Sequence, residues 1–183
     1  MQSIKAIKDS YRKTSLDLRK KLNREEKLKK DETIYKKFIA LSIKSEFKTL
    51  LCYVSAEIEV DTFEIIDYCF ENNIKVAVPR CIDDGIMKFF YISSVDDLEK
   101  GKYGIYEPKS YCFEYLPDDK SLCIVPALSA DLNGYRIGYG KGYYDRFLSD
   151  YKGKSVILVY KENLKSELPI GEFDLKCDLI ITD

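Results

Sequence analysis

The sequence predicts an α/β fold: one domain with a mostly parallel central sheet flanked by helices, in a Rossmann-like three-layer arrangement, entered through two N-terminal helices. Three observations carry this expectation. Helical apolar spacing dominates up to Leu50, and short apolar runs of strand length then alternate with helical stretches. A chain of 183 residues with 45% hydrophobic and 33% charged residues is long enough to close one core, burying roughly 70% of its extended surface. No linker, repeat or low-complexity tract divides it.

The elements follow in order. Ile4, Ile7, Tyr11, Leu18 and Leu22 recur at steps of three, four or seven, the stripe of an amphipathic first helix. Asn23 followed by Glu26 spells a capping box for a second helix, with Leu28, Ile34, Phe38 and Leu41 as its expected buried face. Leu50 to Val54 reads as the first strand. Asp61 with Glu64 three positions on caps a helix running to Asn72, and Lys75 to Pro79, Met87 to Ile92 and Cys123 to Leu128 read as strands. After a glycine-rich loop, a helix from about Tyr143 to Tyr151 precedes strands Val156 to Tyr160 and Leu179 to Thr182.

Composition excludes several function classes. Thirty Lys plus Arg against thirty-one Asp plus Glu leave a net charge of −1, so no global field draws in nucleic acid or an anionic membrane. The longest uncharged run, Ser121 to Ala130, is too short to span a bilayer and contains Pro126. The amino terminus lacks the apolar h-region of a secretory signal, and the expectation is a soluble, cytoplasmic protein. With no histidine there is no Ser-His-Asp or Cys-His nucleophile, no imidazole base and no His-ligated metal. The six cysteines never reach Cys-x-x-Cys spacing and lie mostly in apolar runs, so all six are read as structural. Chemistry falls to carboxylates, lysines, arginines, backbone amides or an oxygen-bound cation.

Four of the nine glycines fall between Gly134 and Gly142, in Asn133-Gly134-Tyr135-Arg136-Ile137-Gly138-Tyr139-Gly140-Lys141-Gly142-Tyr143-Tyr144-Asp145-Arg146. Gly138, Gly140 and Gly142 can take positive φ and let amides converge ahead of a helix amino terminus, which makes an anion site suited to phosphate. Arg136 and Lys141 flank it with positive charge, Asp145 can take hydrated Mg²⁺, and the tyrosines can stack on a flat ring. The plainer alternative is a tight strand-to-helix turn whose glycines only relieve strain. The glycine spacing is neither that of a Walker A loop nor that of the dinucleotide fingerprint.

The segment from Asp131 to Arg146 resembles the signature of the 5-formyltetrahydrofolate cyclo-ligase (5,10-methenyltetrahydrofolate synthetase) family. The resemblance extends to Lys8-Asp9-Ser10-Tyr11-Arg12, Glu59-Val60-Asp61-Thr62, Gly104 to Pro108 and Glu172 to Asp178. Departures are small: Tyr11 replaces a usual Leu, Ala127 stands where Gly often follows the Pro, and Phe173 occupies a place that is often His.

This resemblance implies an enzyme using ATP and Mg²⁺ to turn 5-formyltetrahydrofolate into 5,10-methenyltetrahydrofolate. It implies ATP contacts from Lys8, Arg12, Arg136, Gly138, Tyr139, Gly140, Lys141, Gly142, Tyr143 and Tyr144, with Arg136, Lys141 and Glu59 as catalytic residues. Val54, Glu59, Tyr139 and Tyr143 would face the folate, and Asp145 and Asp174 would hold the metal. Independently, Lys8 and Arg12 sit at i and i+4 on one helical face. Asp61 reads as a structural cap. The expected partners are small molecules only, bound by a monomer or weak dimer, with no nucleic acid and no membrane. Two other readings compete: a non-catalytic nucleotide or phospho-sugar-binding module, which keeps the loop without needing Glu59, and a nucleic-acid-binding arm over residues 1–30. That arm holds eleven Lys or Arg against four Asp or Glu, a net +7, but its cations share a helix with an apolar stripe and lack interleaved aromatics.

Overall fold

A computed structural model describes residues 3–83, 85–101, 104–116 and 119–183 and has the predicted α/β architecture. Helices α1 (Ile4–Lys21) and α2 (Arg24–Lys44) come first. The main sheet contains β1 (Thr49–Leu51), β2 (Lys75–Asp83), β3 (Ile86–Ile92), β6 (Ser121–Pro126), β9 (Lys154–Leu158) and β11 (Leu179–Ile181), in the order β11-β9-β6-β1-β2-β3. All neighbours are parallel except the β2–β3 hairpin. Helices α3 (Phe63–Glu71) and α4 (Tyr143–Asp150) make the crossovers, the hairpin β4 (Leu98–Lys100) and β5 (Tyr106–Pro108) lies apart, and β7 (Ser129–Asp131), β8 (Arg136–Ile137) and β10 (Leu164–Lys165) form a small second sheet.

Local signals explain most of these elements. Asn23 Oδ1 accepts from the Glu26 amide at 2.9 Å while Glu26 Oε2 accepts from the Asn23 amide at 3.2 Å, the capping box read in the sequence. Ile34 and Phe38 are fully buried on α2, but Leu28 is 57% exposed, because it lies roughly 120° around the helix from Ile34. Residue Pro79, inside β2, sits past the last residue of β1, whose register ends at Leu51 opposite Ala77, so its missing N–H leaves no β1 carbonyl unpaired. Asp61 caps α3 from one position farther out than expected: its Oδ1 accepts from the Phe63 amide at 2.8 Å, and Thr62 occupies the cap.

The first helix departs from its apolar reading. Ile4 is largely exposed, Ile7, Tyr11 and Leu18 are half-buried, and the buried residues of α1 are Ser15 and Arg19. Its inward face is therefore Lys8, Arg12, Ser15 and Arg19, at i, i+4, i+7 and i+11, and the polar docking described below holds it. Leu22 alone of the expected stripe packs against the main core.

Two apolar clusters cover the two faces of the sheet. One joins Ile34 and Phe38 of α2 and Ile65, Ile66 and Cys69 of α3 to Leu50, Val76, Leu122, Ile124 and Val156. The other sets Tyr144, Phe147 and Leu148 of α4 against Leu51, Ala77, Phe89, Cys123, Val125 and Ile157. Alternate residues of β6 thus serve opposite layers. All six cysteines are free, and four of them are buried. Among the described residues no helix is long and apolar enough to cross a membrane.

The strand order fixes where a site can form. From β1 the chain crosses to β2 on one side, and from β6 it crosses to β9 on the other, so adjacent β1 and β6 mark a topological switch point. The crevice beyond their carboxyl ends receives the segment after Leu51, leading to Glu59, and the segment after Pro126, leading to the glycine loop.

Truncating Phe38 to Ala should cost about 3–5 kcal/mol in urea unfolding, whereas Leu28→Ala should stay within about 0.5 kcal/mol of the parent.

Candidate active site

Helix α1 lies across the carboxyl-end loops and is pinned to them at four successive inward positions. The Lys8 ammonium pairs with Asp174. Arg12 Nε donates to Gly138 O at 2.9 Å, with its Nη1 on Asp9 at 2.5 Å. Ser15 Oγ and Ser129 Oγ are 2.5 Å apart, and Arg19 Nη2 donates to Ala127 O. The helix thereby reaches β7, the glycine loop and the chain after α4, setting Arg12 on the loop and Lys8 on the Asp174 segment.

The loop itself is shaped by two glycines. Gly140 has φ +88°, and a Cβ there would come within 3.0 Å of the Arg12 guanidinium carbon. Gly142, with φ +70°, caps α4 in the left-handed region and supplies no side-chain acceptor at the helix amino terminus. The expected third positive φ is absent: Gly138 has an ordinary φ, and a side chain there would meet nothing within 4 Å. Lys141 is exposed, its ammonium without a partner among the described residues, and it lines a 520 Å³ cleft with Gly85, Ile86, Tyr143 and Arg146. Arg146 ties this cleft together by donating from Nε to Gly85 O at 2.6 Å and from Nη2 to Lys141 O at 2.7 Å.

The expected phosphate and metal residues come together as ion pairs. Arg136, 8% exposed, donates from Nη2 to Asp145 Oδ1 at 2.9 Å and from Nη1 to Leu175 O at 3.2 Å. Arg136 is thus already paired, bracing β8 to α4 and to the 175–177 segment. Asp174 accepts from the Gly171 amide at 2.6 Å besides pairing with Lys8. Among the described residues no three Cys, Asp or Glu side chains gather into a metal cluster. Asp145 and Asp174 supply two hard oxygen donors, which suits an ion that completes its shell with water and phosphate oxygens, as Mg²⁺ does.

On the β1 side, Glu59 is buried, with Oε2 accepting from the Ala56 amide at 2.8 Å and Oε1 from the Tyr139 hydroxyl at 2.9 Å. That bond joins the glycine loop to the Glu59 turn across 80 residues of sequence. Burial first, then the Glu59 carboxylate, pushes the Tyr139 hydroxyl well up, so it remains a donor near neutrality. Half of Tyr139 faces outward, and Tyr143 lies half-buried under Arg146, whose guanidinium carbon is 5.6 Å from the ring centroid.

Two expected ligand contacts fall elsewhere. Tyr144 turns inward, its ring edge-on to Phe89 at 6.3 Å, because positions 144, 147, 148 and 151 form the sheet-facing stripe of α4. Its buried hydroxyl has no hydrogen-bond partner among the described residues, and burial pushes that group strongly up. Val54 belongs to the buried core beside Leu50 and Cys52, under the site rather than on its wall.

Three residues absent from the sequence reading join the site from below. Arg19 is 4% exposed, and its buried Nε has no partner among the described residues. Its guanidinium carbon lies 5.7 Å from the Tyr160 ring centroid, and the Tyr160 hydroxyl donates to Asp31 Oδ1 at 2.7 Å. The available signal was the polar repeat at 8, 12, 15 and 19. Nothing local marks Asp31 or Tyr160.

Comparison with known proteins agrees with this fold. The model of the 5-formyltetrahydrofolate cyclo-ligase family matches residues 4–183. A protein of Caenorhabditis elegans named probable 5-formyltetrahydrofolate cyclo-ligase is 29% identical over 99% of this chain and 95% of its own. The 5-formyltetrahydrofolate cyclo-ligase of Mycoplasma genitalium is 30% identical over 95% of this chain and 96% of its own. Among solved structures, the 5,10-methenyltetrahydrofolate synthetase of Aquifex aeolicus superposes with a TM-score of 0.85 at 28% identity, covering 96% of this chain and 89% of that one.

Substituting Ala at Gly140 should cost about 1–2 kcal/mol through the left-handed backbone, while Gly138→Ala should leave the thermal midpoint unchanged. Calorimetric melts of the two variants check this contrast.

Proposed function

Since the chain belongs to the 5-formyltetrahydrofolate cyclo-ligase family, we propose that it converts 5-formyltetrahydrofolate and ATP into 5,10-methenyltetrahydrofolate, ADP and phosphate, acting in the cytoplasm as a monomer or weak dimer. The observation that carries this reading is the Tyr139–Glu59 bond, which sets a buried carboxylate directly beside a cation-flanked glycine loop. A non-catalytic phosphate-binding module would have no use for that carboxylate, and so is not favoured.

The chemistry needs positioning and charge neutralisation more than proton transfer. The formyl oxygen attacks the γ-phosphorus and ADP leaves, which gives an N5-iminium phosphate. N10 then adds to the activated carbon, its proton is lost, and phosphate departs with the C–O bond. Each step spreads charge over phosphoryl oxygens, where fixed cations lower the barrier. Histidine is not required.

In this reading the amides ahead of α4 and the free Lys141 ammonium receive the terminal phosphates, with Lys8 and Arg12 reaching from α1. Phosphate oxygens compete with Asp174 for Lys8 and with Asp145 for Arg136, so nucleotide binding loosens both ion pairs. The two released carboxylates are the ones that would hold Mg²⁺, which supplies further neutralisation of the phosphates. Glu59, held by Ala56 and Tyr139, orients the formamide and N10 region of the folate.

Purified protein with MgATP and 5-formyltetrahydrofolate should form the strongly absorbing methenyl chromophore with one ADP released per product. ADP-free or chromophore-free reactions of folded protein would instead support the binding module. Lys141→Ala should lower kcat/KM about 100-fold with stability unchanged. Arg136→Ala should lower both, losing about 1–3 kcal/mol of stability because Asp145 and Leu175 O lose their donor.

A further inference from the structure

The Glu59 carboxylate is only as well placed as the turn that bears it, and that turn is short and irregular, between the end of β1 and the start of α3. Its three successive residues are each gripped by a side chain from elsewhere. The Tyr160 hydroxyl lies 3.2 Å from Glu59 O, the Tyr53 hydroxyl donates to Val60 O at 3.1 Å, and Asp31 Oδ1 accepts from the Asp61 amide at 3.2 Å. The same Asp31 oxygen accepts the Tyr160 hydroxyl at 2.7 Å, so that one hydroxyl makes a three-centred bond to the carboxylate and to the Glu59 carbonyl. Asp31 Oδ2 is held in turn by Lys27, one turn earlier on α2, at 2.6 Å.

We propose that Asp31 and Tyr160 are positioning residues for folate binding, acting through the backbone of residues 59 to 61 on the carboxylate of Glu59. The inference rests on the folate reading of Glu59 given above. A buried acid on α2 has no stabilising need for such a place: Asp31 is 7% exposed on a buried face shared with Ile34, Phe38 and Ser42, where a charge costs free energy unless its bonds are used. Each of its two oxygens is used, and two of the three bonds lead to the Glu59 turn or its tether. Tyr160, at 1% exposure beneath the Arg19 guanidinium, is kept protonated by burial and then by Asp31, so it serves as a donor at every pH at which the enzyme is folded near neutrality. Lys27, Arg19 and the Glu59 and Asp61 carboxylates are the charged groups around the pair. Among the described residues the hydrogen bonds of Asp31 and Tyr160 run to Lys27, Asp61, Glu59 O and each other, and not to the loop proposed for the nucleotide, so the device should act on one substrate and not on the other.

Tyr160→Phe keeps the ring under Arg19 and removes only the hydroxyl. It should raise KM for 5-formyltetrahydrofolate about fivefold, as loss of one net hydrogen bond requires, while KM for ATP stays within about twofold. Asp31→Ala should give the same split, Asp31→Asn, which keeps an acceptor oxygen, should recover most of it, and Asp31→Ala combined with Tyr160→Phe should be no worse than the stronger single variant. Calorimetric folate binding without nucleotide repeats the measurement independently of turnover. Equal shifts in both KM values, or no shift in Tyr160→Phe with wild-type protein binding folate normally, would overturn the clamp while leaving the proposed activity intact. Wild-type protein that binds no folate would overturn both.

Discussion

The polar docking of α1 across the carboxyl ends of the strands is the constraint on which the site depends. An amphipathic helix would ordinarily be held by an apolar stripe, yet here the inward positions are Lys8, Arg12, Ser15 and Arg19. Directional bonds to Asp174, Gly138 O, Ser129 Oγ and Ala127 O replace contact area, and directional bonds fix rotation and translation where apolar contact tolerates slippage. The helix is thereby a structural wall and a carrier of the cations proposed to meet the nucleotide at once.

The same economy runs through the rest of the crevice. Every charged group assigned to phosphate or metal, except Lys141, already has an oppositely charged or carbonyl partner, so the site holds few uncompensated charges before ligand arrives. Glu59 is satisfied by a backbone amide and a tyrosine. Ligand binding in such a place exchanges partners instead of burying new charge, which keeps the desolvation cost of taking a polyanion modest.

What the sequence disclosed and what it hid follow a physical division. The α/β layering, the Asn23–Glu26 box and the glycine loop were legible because each depends on neighbours a few residues apart. That Lys8 and Arg12 share one face of α1 was legible through their i, i+4 spacing. By contrast, the inward face of α1 was assigned to the wrong stripe, since hydrophobicity outranks a polar repeat when partners are unseen. Tyr144 could not be separated from Tyr143 without knowing that α4 packs through 144, 147 and 148. The internal pairing of Arg136 was hidden because its partner at Leu175 lies 39 positions away, and Asp31 and Tyr160 left no local trace because their partnership spans 129.

The Arg146 bridge gives the edge hairpin a role that its own side chains do not announce. By holding Gly85 O and Lys141 O with one guanidinium, it makes the tip of the β2–β3 hairpin part of the scaffolding of the glycine loop. Hairpin tips on surface edges normally tolerate insertions freely. Here a lengthened tip would withdraw one of the two carbonyls that seat Arg146 and slacken the backbone at Lys141, so the span of that hairpin is tied to the shape of the loop.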